Sequence, residues 1–340
     1  MINLLHALGS NKQGGAELFS CRLAIALNAY NLNQAVVLRE NGPYVNTLSS
    51  TIPCFPIPFR GLIDLHSKRK LKQIIKNFSP DIVLSYMSRA SQLVSQLNRS
   101  KNYIHIARLG GYYDLKYYRH CDHFIVNTKD LADYLLKQGI AHERVHHLYN
   151  FANQTPGKKM ACNASKKLIV AVGRLHKNKA FDTLIHAIQH CNNTILWIAG
   201  EGPEREHLSN IITQLKLTDR VSLLGWVKRP EDLIASCDLF VCPSRHEPLG
   251  NVILEAWAQQ KPILCTQSQG GTELIEHGET GWLVPIDQPK KMTAAIQTLL
   301  SNNDLLNTLA LNGWQHYHQY FSESVITQQY VNLFKQLLSA

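Results

Sequence analysis

Short apolar runs of β type alternate with segments of helical spacing along most of the chain. Ile2–Leu8 reads as a first strand, followed by Gly14–Gly15 and a helix through about Ala29. Ala35–Leu38 is a second strand, and Leu65–Asn77 a helix stopped by Ser79–Pro80. Asp81–Ser85, Tyr103–Ala107 and His123–Val126 are further short strands. Thr128 caps a helix to Lys137, and Gly139 ends it. The rhythm pauses across 153–166, where Asn153–Lys159 is polar and holds Pro156–Gly157. It then restarts. Lys167–Val172, Thr194–Ala199, Val221–Leu224, Leu239–Cys242, Pro262–Cys265 and Gly281–Val284 read as strands. Asp182–Gln189, Glu204–Leu215, Pro230–Ala235 and Val252–Gln259 are the helices between them. Such alternation predicts α/β domains, each with a parallel sheet covered on both faces.

The pause divides the chain into a domain over 1–152, a linker over 153–166 and a second domain over 167–321. The tail, about 322–340, reads as an amphipathic helix with apolar Val325, Tyr330, Leu333, Phe334 and Leu337. It is expected to pack back on the first domain.

In open α/β sheets, ligands bind beyond the carboxyl ends of the strands, so the loops there are searched first. Glu247–Pro–Leu–Gly–Asn–Val–Ile–Leu–Glu255 follows the Leu239–Cys242 strand. Leu249, Gly250 and Asn251 lead into a helix whose free amides suit a phosphate oxygen. Glu255 shares a helix face with Asn251 and is placed to accept from a ribose diol. Glu247, on the loop, would face a sugar. The alternative is a surface glutamate at 255 and a helix-start acid at 247.

Two glutamates in this strand–loop–helix setting resemble the signature of retaining glycosyltransferases of family four. Other segments share the resemblance, in order along most of the chain. Gly14–Gly15–Ala16–Glu17 matches a glycine-rich loop of the family, which implies that Gly14 and Gly15 are donor-binding. Val172–Gly173–Arg174–Leu175 with Lys179 resembles its basic donor loop. Gly200–Glu201–Gly202–Pro203 resembles its Gly-x-Gly-Pro turn. Gly225–Trp226–Val227 resembles its base-binding segment. Gly270–Ile275, with Gly278 and Thr280–Gly281, resembles the turn and helix that close the donor domain.

The resemblance implies a GT-B architecture, two Rossmann-like domains facing across a cleft. It implies transfer of a hexose-type sugar from a nucleoside-diphosphate sugar with retention of configuration. Arg174 and Lys179 would offset the charge of the departing diphosphate, without a metal or other cofactor. Many members of the family place a His or Asp after an N-domain strand. Here Arg108 stands near that position, while His105 falls inside the strand. Arg108 is therefore expected as a substrate or phosphate ligand, with Arg89 a second basic candidate. The alternatives are a simple turn at Gly14–Gly15, solvent-facing cations at 174 and 179, and a core position for Trp226.

Charge adds a partner. Residues 1–155 carry 18 Lys and Arg against 9 Asp and Glu, whereas the remainder carries 17 against 16. The densest run is Lys68–Lys72. A basic first domain suggests a glycan or glycolipid acceptor, as in lipopolysaccharide core synthesis, or an anionic membrane surface. A nucleic-acid partner is disfavoured, although the basic and aromatic stretch Tyr112–Arg119 keeps a non-enzymatic basic binding module open. A nucleotide-sugar epimerase of the same fold is the other alternative. Met1–His6 lacks a secretory pattern, and the eight cysteines include no Cys-x-x-Cys pair. The expectation is a cytoplasmic protein with reduced thiols, bound at most to the inner membrane face.

Overall fold

The apolar runs become the central strands of two sheets. The structure, a computed structural model, describes residues 1–10, 14–60, 64–97, 102–160 and 165–339. Cys162 and residues 161–164 of the expected linker lie outside the described residues. The chain divides into two compact units, Met1–Asn150 with Ser324–Ala340, and Phe151–Glu323.

The first unit contains β1 (Ile2–Leu8), β2 (Leu32–Arg39), β3 (Cys54–Ile57), β4 (Ile82–Tyr86), β5 (Ile104–Leu109), β6 (His123–Val126) and β7 (Val145–His147). They stand in the order β3-β2-β1-β4-β5-β6-β7, all parallel. Its helices are α1 (Gly15–Ala26), α2 (Val45–Ser49), α3 (Leu65–Phe78), α4 (Met87–Ser95) and α5 (Lys129–Lys137). The second unit contains β8 (Lys167–Val172), β9 (Thr194–Ala199), β10 (Val221–Gly225), β11 (Leu239–Cys242), β12 (Ile263–Thr266) and β13 (Trp282–Val284). Their order is β10-β9-β8-β11-β12-β13, again parallel. The helices are α6 (Phe181–Ile188), α7 (Arg205–Gln214), α8 (Pro230–Ser236), α9 (Asn251–Ala258), α10 (Gln269–Leu274), α11 (Pro289–Ser301) and α12 (Asn303–Tyr320). The last helix, α13 (Glu323–Ser339), belongs to the first unit from Ser324 onward. No helix of the described residues is long and apolar enough to cross a membrane.

Strands covered on both faces have no polar side to show, which explains continuous runs such as Leu168–Ala171, fully buried. In the second unit, Ile169, Leu196, Leu239 and Leu264 from the sheet pack with Leu184 and Ile296 from the helices. In the first unit, Leu5, Val37 and Val83 share one face of the sheet with Leu109, Phe124 and Val126, and pack there in two neighbouring clusters. Within each sheet the winding reverses beside a central strand. β1 lies between β2 and β4, and β8 between β9 and β11. Such a reversal opens a crevice at the strands' carboxyl ends.

The structure corrects several expectations. β5 runs on to Leu109, so Arg108 sits inside the strand and not after it. Arg108 is 2% exposed. Its Nε donates to the Tyr330 hydroxyl of α13 at 3.1 Å, its Nη2 donates to Asn150 Oδ1, and the guanidinium lies 4.1 Å from the Phe19 ring centre. The residues expected as a linker are pinned along the second unit. The Gly157, Lys158 and Met160 amides donate to Gln259, Asp232 and Ser236. β3 and β7 were not anticipated because they are short, edge-placed and interrupted by Pro56 or polar histidines. The Tyr112–Arg119 stretch forms a 3-10 turn over Leu115–Tyr118 with Tyr118 buried, and Tyr112 packs edge-on against Tyr134. Both rings are thus engaged within the fold.

Two buried features make measurable demands. His6, 1% exposed, has Nε2 and Nδ1 each 2.9 Å from Gln34 Oε1 and the Tyr86 hydroxyl. Its neutral ring donates to the first and accepts from the second. Burial, opposed only in part by Gln34, lowers its pKa from 6.5 to about 4. Burial likewise lowers half-buried His146 and His147 to about 4. The unfolded chain therefore takes up protons between pH 6.5 and 4 that the native state refuses, and stability falls as pH falls through that window. Urea unfolding should lose about 3 kcal/mol through His6 over that range, and His6→Gln should flatten the slope. An unchanged slope would contradict the buried neutral ring. The second feature is Gly200, at φ +144, where a Cβ would stand 1.9 Å from the Gly173 carbonyl oxygen. Gly200→Ala should cost about 2–4 kcal/mol in the same assay, and a loss below about 0.5 kcal/mol would refute the close approach.

Candidate functional site

The loops after β8 and β11 flank the point in the second sheet where the winding reverses. The β8 loop passes Gly173 and Arg174, then turns through a short 3-10 segment, Lys177–Lys179, into α6. The β11 loop passes Pro243–Ser244–Arg245–His246 to Glu247 and enters α9 through Gly250. Gly250 caps α9 in the left-handed region at φ +85, a conformation that costs a side-chained residue energy. It exposes the first-turn amides of α9, whose positive end attracts anions.

Lys179 and Glu247 meet across the two loops. The ammonium pairs with Glu247 Oε2, which also accepts from Ser244 Oγ at 3.0 Å. Their side chains are only 22% and 11% exposed. Burial alone would lower the Lys179 pKa. The Glu247 carboxylate, with Glu255 adding to it, outweighs burial and holds the ammonium above its ordinary value. Lys179 therefore stays charged at neutral pH. The structure thus brings together Lys179, Glu247 and Glu255. Asn251 and Glu255 are half-buried on α9, and Leu249 is buried just ahead of it.

Arg174 is exposed on the β8 loop, and its guanidinium makes no hydrogen bond among the described residues. Trp226 is 69% exposed beyond β10, which removes the core alternative for it, and Val227 beside it is half-buried. Gly173 and Gly202 meet each other's loops. The Gly173 and Leu175 amides donate to Ala199 and Glu201 carbonyls at 2.9 and 3.0 Å, and the Glu204 amide donates back to Leu175 at 3.0 Å. The Gly200–Pro203 turn is a backing for the β8 loop, with Gly202 against the Leu175 backbone. The Gly270 amide supports the other loop by donating to the Glu247 carbonyl at 2.7 Å.

The first unit holds the remaining expected residues. Gly14 caps α1 and half-buried Gly14 and exposed Gly15 stand near buried Glu17, whose Oε1 accepts from Ser10 Oγ at 2.5 Å. Arg89 reaches the Gly9 carbonyl at 3.5 Å. Arg108 is buried as described above.

Sequence reasoning missed Arg245. Its Nη1 and Nη2 donate to Asp182 at 3.0 and 2.7 Å, its Nε to Asp287 at 2.9 Å, and its Nη1 to the Lys177 carbonyl at 2.7 Å. The Arg245 amide also donates to the Asn178 carbonyl at 2.8 Å. The guanidinium holds the Asp182 carboxyl below its ordinary pKa, against the upward pull of burial. Arg245 latches the β11 loop to the segment bearing Lys179. The visible signal was Asp182 in the first turn of α6, with an unassigned arginine two residues before Glu247.

Residues 13–155 match the family model described as glycosyltransferase family 4, and residues 157–316 that of glycosyl transferases group 1. The chain is 31% identical to the lipopolysaccharide core biosynthesis glycosyltransferase LpsE of Rhizobium meliloti, over 95% of this chain and 96% of the relative. It is 30% identical to LpsD of the same organism, over 95% of each. Among solved structures, HepE of Anabaena in complex with UDP superposes with a TM-score of 0.88 at 22% identity, over 98% of this chain and 100% of that one. The same protein has been solved with UDP-glucose, with a TM-score of 0.85 to this chain. That likeness extends to the fold, which is of the GT-B type. The full-length match to LpsE and LpsD, with family models on both halves, carries the conclusion: this chain belongs to the family-four glycosyltransferases and is a glycosyltransferase.

Proposed function

We propose that the chain transfers a hexose-type sugar from a nucleoside-diphosphate sugar to an envelope glycolipid, with retention of anomeric configuration and without a metal. The observation that carries this reading is the Lys179–Glu247 pair beside the amino end of α9. A diphosphate at that helix end competes with Glu247 for the Lys179 ammonium. Glu247 is then released toward the hydroxyls of the attached sugar. Arg174, exposed and without a hydrogen bond among the described residues, closes on the diphosphate from the β8 loop. Glu255 holds the ribose, the Gly250 and Asn251 region holds phosphate oxygen, and Trp226 and Val227 flank the base. HepE binds UDP and UDP-glucose, so a uridine diphosphate hexose is the first donor to try.

Two protein cations supply the charge that a divalent metal supplies elsewhere, in a site where fixed charge needs no reorganisation. As the bond to the leaving phosphate breaks, the acceptor hydroxyl attacks from the same face. A leaving phosphate oxygen takes the hydroxyl proton, so no separate protein base is required.

The acceptor is assigned to the basic first unit. LpsE and LpsD are named for lipopolysaccharide core biosynthesis, and a core glycolipid is the acceptor class adopted here. A glycolipid acceptor places the enzyme in the cytoplasm at the inner membrane face, where an anionic surface would attract the first unit.

Glu247→Gln, Lys179→Gln and Arg174→Gln should each lower kcat at least about a hundredfold with the fold intact by circular dichroism. Glu255→Ala should mainly raise the donor KM, by about tenfold or more. Near-normal turnover in the first three would remove the proposed site. Proton NMR of the fresh product should give the donor's own anomeric configuration; the opposite anomer would rule out retention.

A further inference from the structure

The first unit carries a basic pocket that the donor site does not use. It encloses about 410 Å³ between α3, α4 and the turn after β5. Lys68, Lys116, Arg119 and His120 line it together with Gln92 and Gln96, and no carboxylate is in its lining among the described residues. Pockets of this size hold small ligands. Asp114 pairs with Lys116 at 2.6 Å from outside the lining. Gln96 caps the carboxyl end of α4, which adds about half a negative charge. Three permanent cations still exceed these two opposing terms. The Gln92 and Gln96 side-chain amides, and the Lys68 and Arg119 head groups, make no hydrogen bond among the described residues. Donors without internal partners around an acid-free hollow suit a doubly charged phosphate ester.

The pocket also has a direction. Gln92 and Gln96 line a second recess, shared with Arg89, Phe59 and Asp64. Asp64 is occupied internally by the Ser67 amide at 2.9 Å and the Arg60 amide at 2.5 Å. Arg89 reaches the Gly9 carbonyl, just beyond the carboxyl end of β1. A chain of polar positions therefore runs from the basic pocket toward the crevice where the acceptor hydroxyl is assigned.

We propose that this pocket is a subsite for a phosphate monoester carried by a sugar residue of the acceptor. The proposal rests on the reading that the first unit receives the acceptor. It sets specificity: an acceptor bearing a phosphorylated sugar is preferred over its neutral counterpart.

The test titrates the full chain with glucose 6-phosphate, with methyl glucoside as the neutral control, by isothermal calorimetry. Glucose 6-phosphate should bind saturably and methyl glucoside should not. Lys116→Gln/Arg119→Gln should weaken glucose 6-phosphate at least tenfold while UDP affinity stays within twofold. If the double variant loses UDP binding through misfolding, Lys68→Gln alone should weaken the phosphate ester severalfold. Equal binding by the variants, or none by the natural chain, would overturn the subsite. So would charge-dependent retention on phosphatidylglycerol vesicles with no binding of glucose 6-phosphate, because the phosphate would then be a lipid headgroup's. Loss of UDP binding by the natural chain would instead sink the donor reading and leave this pocket standing.

Discussion

Lys179 and Glu247 sit where neither charge would be stable alone. Each is largely withdrawn from water, and burial by itself would push the lysine toward its neutral form. Pairing reverses that tendency and keeps a permanent cation inside the crevice. The same pairing leaves the crevice charge-balanced until a stronger anion arrives. A diphosphate brings more negative charge than one carboxylate and adds the helix-end amides to its partners. In the proposed mechanism the free protein is already arranged for exchange, with Glu247 as the placeholder.

The rest of the second unit holds those two side chains in register. Arg245 fastens the β11 loop to Asp182, Asp287 and the backbone of 177–178. Two glycine turns press on the loops from behind: Gly200–Pro203 against 173–175, and Gly270 against the Glu247 carbonyl. These contacts use backbone and short side chains, so they have little freedom to drift. Catalytic geometry tolerates errors of only about half an ångström, and such backing supplies that precision. In the first unit the corresponding fixture is Arg108, whose bonds to Tyr330 and Asn150 tie α13 to the sheet.

The parallel sheets were legible because buried strands leave continuous apolar runs, and the main strands fell within three residues of their expected ends, the widest gap being the polar start of β2 at Leu32. Edge strands β3 and β7 escaped because their residues are few and partly polar. Arg108 was misplaced relative to its strand because the reading stopped β5 at Ala107, before the charge. The strand continues there because its backbone pairs with Tyr86 and Ile125 on either side, while Tyr330, 222 residues away in sequence, accepts from the guanidinium. Lys179 and Glu247 were legible as members of a pattern, but their mutual contact was not, since it spans 68 residues. The role of Arg245 was hidden for the same reason: its acidic and carbonyl partners come from two distant segments. Gly200 and Gly202 were legible as a turn, but their close fit against the backbone of Gly173 and Leu175 was not, since it joins distant segments.

The central claim is an exchange of partners by Lys179, and a double-mutant cycle reads it directly. Lys179→Gln, Glu247→Gln and the double variant would be compared with the natural chain by urea unfolding, once without ligand and once with saturating UDP-glucose. The account predicts a coupling of about 1–3 kcal/mol in the free protein that largely disappears in the complex. A coupling of the same size in both states would mean that the lysine never leaves the glutamate, and the proposed role of the pair would fail.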